Sequence, residues 1–481
     1  MVAMPELSRR RRVLVLAICC MSLLIVGLDS TIVNVALPAI QRSLHASVAG
    51  LQWTISAYTL VIASLLMLSG STGDRVGRRR IFQTGLVLFT FGSLLCSLAP
   101  SLGWLVAFRM VQAIGGSMLN PVAMSIITNV FTEPRERAQA IGVWGGVIGI
   151  SLALGPVVGG ALIDSIGWRS IFWINIPVGI VAFALTAWFV PESRADRPRR
   201  PDWVGQALVL GFLATLTYGI IEGPGRGWAA LPILACFAAA ALLGGGLVTY
   251  ESRRREPLID LRFFASVPFS SATVIAVCGF AALSGFLFLN TLYLQDVRGY
   301  SPLRTGVVTL PIALMALVFA PICGRFVGAY GTRWPLVIAG LGIAASGVML
   351  TSLDGATSIG YLLLTYVVFG LGFAWLNAPI TNTAVSGMPR AQAGVAAGIA
   401  STSRQVGSSL GVAVIGSAVV SGLHGEFASA FASASHVGWW IIAGAGATVL
   451  ALGVVSSGAW ATATAAQVIA RTAEPVPATG T

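Results

Sequence analysis

Lysine is missing from this chain: all 29 of its basic residues are arginine. Charge of either sign is scarce, at 10% of 481 residues against about 25% in ordinary soluble domains. With 56% of its residues hydrophobic, the chain reads as an all-α integral membrane protein rather than a soluble one. Alternating apolar and polar stretches are lacking too, which excludes a membrane β-barrel. There are three histidines (His45, His424 and His436), each expected in an outer loop. The six cysteines all fall inside apolar runs without ligand spacing, so neither residue type supplies a metal site or a disulfide framework. No Walker-type glycine loop is present, so nucleotide hydrolysis is not the expected energy source. No cofactor, no enzymatic activity and no nucleic-acid partner are implied.

Long apolar runs are what the chain has in their place. Fourteen begin near Val13, Trp53, Ile81, Leu102, Ala138, Ile171, Trp203, Ala229, Val267, Leu303, Pro335, Ile359, Val395 and Val437. Each approaches the roughly 20 residues needed to cross a bilayer. Arg9 to Arg12 followed by the first run could pass for a signal peptide. That run is too long, however, and no small-residue cleavage pattern follows it.

Arginine sets the orientation. Loops on the amino-terminal side carry 22 arginines, whereas the opposite side carries five: Arg42, Arg169, Arg226, Arg298 and Arg304. This asymmetry predicts that both termini are cytoplasmic and accounts for the net charge of +12 without invoking nucleic acid. The remaining two, Arg109 and Arg404, lie in apolar segments.

Gly73 to Arg80 after the second run and Gly324 to Arg333 after the tenth look like a full and a degraded copy of one turn. The chain then divides into a tail (1–12), a six-helix half (13–190), two inserted spans with linkers (191–266), a second six-helix half (267–460) and a tail (461–481). Two-half arrangements of this kind are typical of secondary transporters, with the substrate site near the midplane.

The most telling residue is Asp29, inside an apolar run from Val13 to Leu37. A carboxylate there costs about 2.5–3.5 kcal/mol on insertion scales, so it is either a proton relay or ligand contact, or one side of a helix-pinning ion pair. At 1.5 Å per residue, Asp29 and Arg109 lie roughly 12 and 10 Å from the same membrane face and can pair. The pair reads as a protonation switch; a static salt bridge is the alternative.

The segment Leu28-Asp29-Ser30-Thr31-Ile32-Val33-Asn34-Val35-Ala36-Leu37-Pro38 resembles the first-span signature of the major facilitator superfamily, in its fourteen-span drug:proton antiporter subfamily. Gly70 to Arg80 resembles the superfamily's loop motif, and Arg109 to Gly116 its fourth-span motif, with Ala113 where glycine is usual. Gly142, Ser151, Gly155, Pro156, Gly159 and Gly160 resemble the exporter-associated fifth-span motif, with Ser151 in place of a glycine. The resemblance implies proton coupling through Asp29 and Arg109. It implies gating by Asp74, Arg75 and Arg78, with Asp74 docking on the start of the thirteenth span near Ala393 to Val395. It also implies helix flexibility at Gly142, Gly155, Pro156, Gly159 and Gly160.

Asn34, Gln112, Asn377, Asn382, Arg404 and Gln405 are the expected polar lining of a substrate cavity, though Arg404 could equally snorkel to the surface. Spans 9–14 hold no clear intramembrane carboxylate, which favours a neutral or singly charged amphiphile over a dication. The expected protein is a monomeric exporter of the bacterial inner membrane that moves a hydrophobic small molecule, of antibiotic or drug type, in exchange for protons. A metabolite permease of the same superfamily, or a polytopic enzyme or sensor, are the alternatives.

Overall fold

The computed structural model describes residues 8–195, 201–254, 257–386, 388, 392–423 and 427–473. His424 and the basic-face arginines Arg197, Arg199, Arg200, Arg255 and Arg390 lie outside them. The described residues are helical without a strand. In chain order they form α1 (Arg9–Leu44), α2 (Val48–Val76), α3 (Arg78–Ser97), α4 (Leu102–Val130) and α5 (Pro134–Ser165), then α6 (Ser170–Phe189), α7 (Trp203–Arg226), α8 (Leu231–Ser252), α9 (Val267–Val297) and α10 (Pro302–Tyr330). The remainder are α11 (Arg333–Leu350), α12 (Ile359–Ser386), α13 (Ala393–Ser421), α14 (Phe427–Val455) and α15 (Ala459–Ala473).

Thirteen of these helices are long and apolar enough to cross a membrane. The predicted thirteenth span, α13, is 29 residues long but is not among them. The polar run from Ser401 through Arg404 and Gln405 to Ser409 interrupts its apolar character. Two expectations shift. The last span begins at Phe427 rather than near Val437, because alanine-rich sequence of modest hydropathy still favours helix. His436 therefore sits in α14, with Nε2 2.9 Å from the Leu353 carbonyl, and not in a loop. Both predicted tails are partly helical, since α1 starts at Arg9 and α15 runs to Ala473.

Three helices break where a proline lacks the N–H that the preceding turn needs. α6 breaks at Ile174 before Pro177, α10 at Thr309 before Pro311, and α12 after Ala374 before Pro379. The two loops read as copies of one turn both use glycine in a positive-φ conformation as a helix cap: Gly77 after α2 (φ 131°) and Gly331 after α10 (φ 80°).

Helices α1–α6 and α9–α14 form two bundles, and α7 leans on both, against α2 and α13. Their cores divide unevenly. Leu28 to Ile40 of α1, with Ile55 and Leu105, share one apolar cluster with α9–α14. Val15 to Val26, with Leu66, Ile81 and Val122 to Phe131, form a separate cluster within the first bundle and α7. The halves are therefore fused toward the face poor in arginine and distinct toward the arginine-rich face.

Hydrogen bonds across the seam follow the same division. Gln52 Nε2 donates to the carbonyls of Val412 (2.8 Å) and Ala413 (3.0 Å), and the hydroxyls of Ser56 and Ser409 each donate to the other's carbonyl at 3.3 Å. Gln295 Nε2 reaches the Val35 carbonyl (2.8 Å), Leu303 N–H reaches Asp164 (3.1 Å), and Arg42 lies 3.7 Å from Asp296.

Helix α5 is clamped in this seam. A Cβ on Gly155 would stand 2.8 Å from Thr31 Cβ of α1, and one on Gly306 would stand 2.5 Å from the Pro156 carbonyl carbon. Only glycine allows such an approach. Gly306→Leu is accordingly expected to disfavour the closed seam by about 1–3 kcal/mol, the usual cost of overpacking. Distances between spin labels at positions 42 and 304 should lengthen; unchanged distances would show that the seam yields without opening.

Candidate functional site

Beneath that seam lies a polar knot. Asp29 on α1 is fully buried, and its Oδ2 accepts from Arg109 Nη1 of α4 at 2.5 Å. Its Oδ1 accepts from Gln112 Nε2 (2.8 Å), one turn along α4, and from Asn175 Nδ2 (3.0 Å) at the break in α6. Ser93 Oγ on α3 accepts second hydrogen bonds from the same two amides, at 2.6 and 3.0 Å. Arg109 also donates to Gln112 Oε1 (2.7 Å) and to the Thr54 carbonyl (3.5 Å), and its guanidinium lies 3.9 Å from the centre of the Tyr58 ring. All five residues are at most 1% exposed.

The chemistry of this arrangement is one-sided. Every side chain reaching Asp29 presents a donor, which suits the ionised carboxylate, an acceptor only. A proton on Asp29 would need an acceptor that the knot does not provide without breaking one of these bonds. Helix packing fixes the arrangement, since a Cβ on Gly92 of α3 would stand 2.5 Å from Gln112 Cα.

Asp29 and Arg109 meet as their common depth predicts. Gln112, expected in the cavity, instead belongs to this buried knot. Asn34 is buried near it, donating to the Ser30 carbonyl at 3.0 Å while its Oδ1 has no partner. Asn175 and Ser93 are not among the site residues expected from the sequence. Asn175 carried a signal, an amide between Ile174 and Ile176, whereas a lone serine in an apolar helix carries none.

Elsewhere the expected groups part company. Asp74 Oδ1 accepts from Arg78 Nε (2.9 Å) and Nη2 (2.8 Å) rather than meeting the start of α13, where a Cβ on Gly394 would face open space. With the halves separate at this face, the turn instead folds against the chain after α6: Arg78 N–H donates to the Ser193 carbonyl and Ala195 N–H to that of Asp74. Arg75 is exposed. Gly155 and Gly159 face α1 and Gly160 faces α10, while Gly142 borders open space. Arg404 is brought to Asn377, whose carbonyl accepts from it at 3.4 Å; Asn382 is exposed and Gln405 half-buried.

The sequence profile described as Major Facilitator Superfamily matches residues 19–412. The tetracenomycin C resistance and export protein of Streptomyces glaucescens is 39% identical over 413 residues, covering 86% of this chain and 77% of that protein. The multidrug resistance protein Stp of Mycobacterium tuberculosis is 37% identical, with coverage of 86% and 77%. Among solved structures, a bacterial homologue of the human lysosomal transporter Spinster superposes with a TM-score of 0.65 at 18% identity, covering 98% of this chain and all of that one.

Proposed function

Because the chain belongs to the Major Facilitator Superfamily, a family of transporters, we propose that it exports a hydrophobic small molecule of antibiotic or drug type across the bacterial inner membrane in exchange for protons, acting as a monomer. Similarity to resistance and export proteins supports the direction of transport. The arginine excess supports a cytoplasmic location for both termini and the basic face.

Proton exchange rests on one observation, the fully buried carboxylate of Asp29 held entirely by donors. All its side-chain partners belong to the first half, so rocking of the two halves leaves their pairing intact and changes access to it. With the basic face inward, the closed outer seam corresponds to the state that loads substrate from the cytoplasm. Opening that seam brings Asp29 within reach of outer protons. Protonation then converts an acceptor into a donor, releases Arg109 and Gln112, and favours return. Such coupling requires proton and substrate each to bind the two states with different affinity.

The test is antibiotic susceptibility of a pump-deficient bacterial host, paired with proton movement in proteoliposomes on addition of each candidate compound. Resistance to one or a few compounds, each of which also moves protons, is the expected result. No resistance to any compound, with expression confirmed, would turn the reading toward a metabolite permease.

A further inference from the structure

Among the described residues, a second intramembrane cation has no acid to match it. Arg404 lies eleven residues into α13, roughly 16 Å from its arginine-rich end at 1.5 Å per residue. Its recorded acceptors are all neutral: Ser401 Oγ at 3.3 Å, Thr381 Oγ1 at 2.5 Å and the Asn377 carbonyl at 3.4 Å. Its Nε is buried with no acceptor, and Trp375 Nε1, two residues before Asn377, is buried and unpartnered as well.

The sequence explains the imbalance. Between residues 267 and 460 the acids are Asp296, Asp354 and Glu426; the first two lie in or beside connections at the opposite face, and Glu426 is outside the described residues. Asp29, the membrane-embedded acid of the first half, has both oxygens engaged in its own knot. An arginine at this depth costs about 2.5–3.5 kcal/mol on insertion scales. Nothing described within the protein offsets that cost with charge.

The surroundings are aromatic. The Phe280 ring centre lies 5.9 Å from the guanidinium, and Phe280 meets Phe373 edge-on at 5.4 Å. Trp375 meets Phe326 in the same manner at 5.4 Å. Thr381 and Asn382 on the adjoining segment of α12 are exposed, on the side where the halves are separate.

We propose that Arg404 is the anion-recognising group of the substrate site, and that the exported compound is a flat aromatic amphiphile bearing one ionised phenolate, carboxylate or sulfonate. The guanidinium takes the anion with its unpaired Nε–H, and the rings of Phe280 and Phe373 lie against the aromatic body. Arg325 and Arg333, toward the same face, draw an anion inward. This assignment rests on the export reading above and narrows its substrate class.

Two fluorescent probes that differ by a single charged group test it. They are 8-anilinonaphthalene-1-sulfonate and its uncharged parent N-phenyl-1-naphthylamine. Both are titrated by energy transfer from protein tryptophan in phosphatidylcholine nanodiscs, with empty discs subtracted. Wild type is expected to favour the anion, and Arg404→Gln to lower the anion-to-neutral affinity ratio by about ten- to a hundredfold, the range of a charge-assisted hydrogen bond. Arg404→Lys, which keeps the charge, should restore most of the ratio and thereby exclude misfolding as the cause.

An unchanged ratio in Arg404→Gln, or a wild-type preference for the neutral probe, overturns the anion site. In that event, pH-driven uptake of the neutral probe by everted vesicles would leave the export reading standing. If neither probe binds or moves, the anion site falls, and the susceptibility panel decides the export reading separately.

Discussion

Asp29→Asn is expected to return the susceptibility of a pump-deficient host to that of an empty control, and to reduce pH-driven uptake in everted vesicles to background, with the protein still in the membrane. Asparagine has nearly the same shape as aspartate. Its amide oxygen can still accept from Gln112 and Asn175, now at 2.8 and 3.0 Å from Oδ1, so the helices keep much of their anchoring. It cannot bind and release a proton. Its amide nitrogen would also turn a donor toward Arg109 Nη1, now 2.5 Å from Oδ2. Normal proton-driven efflux by this variant would sink the coupling mechanism outright.

Removing the other half of the pair is predicted to act first on stability. Arg109→Gln leaves Asp29 buried at 0% exposure without its counter-charge, and breaking a buried pair from one side costs about 3–5 kcal/mol. The guanidinium also packs 3.9 Å from the Tyr58 ring centre, a cation–π contact that glutamine does not replace. The double variant Asp29→Asn/Arg109→Gln removes both charges together. It should recover most of the lost thermal stability in detergent but none of the proton-driven transport.

That divergence separates a coupling pair from a merely structural one. Recovery of transport with recovery of stability would mean that the pair only pins α1 to α4. A double variant as unstable as Arg109→Gln would mean that charge balance is not what the pair contributes.

In a membrane helix, chain position converts into height far more directly than into which side faces a neighbour. The paired depths of Asp29 and Arg109 were legible because rise per residue and bilayer thickness convert chain position directly into height. The start of α14 was misplaced because alanine and serine from Phe427 to Ser435 add little hydropathy while still favouring helix. The contact of Gln112 with Asp29 was not legible, because a polar residue in a membrane helix advertises its depth but not its azimuth. Asp74 was expected at α13, yet it is bonded to Arg78, because which cross-half contacts exist depends on which face of the transporter is closed.

The sequence by itself determined the apolar runs, the arginine asymmetry between the two sets of loops and the presence of two opposite charges at one depth. All of these are one-dimensional properties that a bilayer imposes on any chain crossing it. Only the tertiary structure decided that Asn175, 146 residues from Asp29, and Ser93 complete the knot, that the seam is closed at one face, and that Arg404 meets only neutral acceptors among the described residues. The reason is that a helix bathed in lipid is apolar nearly all round. Its sequence carries little periodic signal of which side meets a neighbour, and that rotation is settled only when close glycine contacts and polar groups lock the helices together.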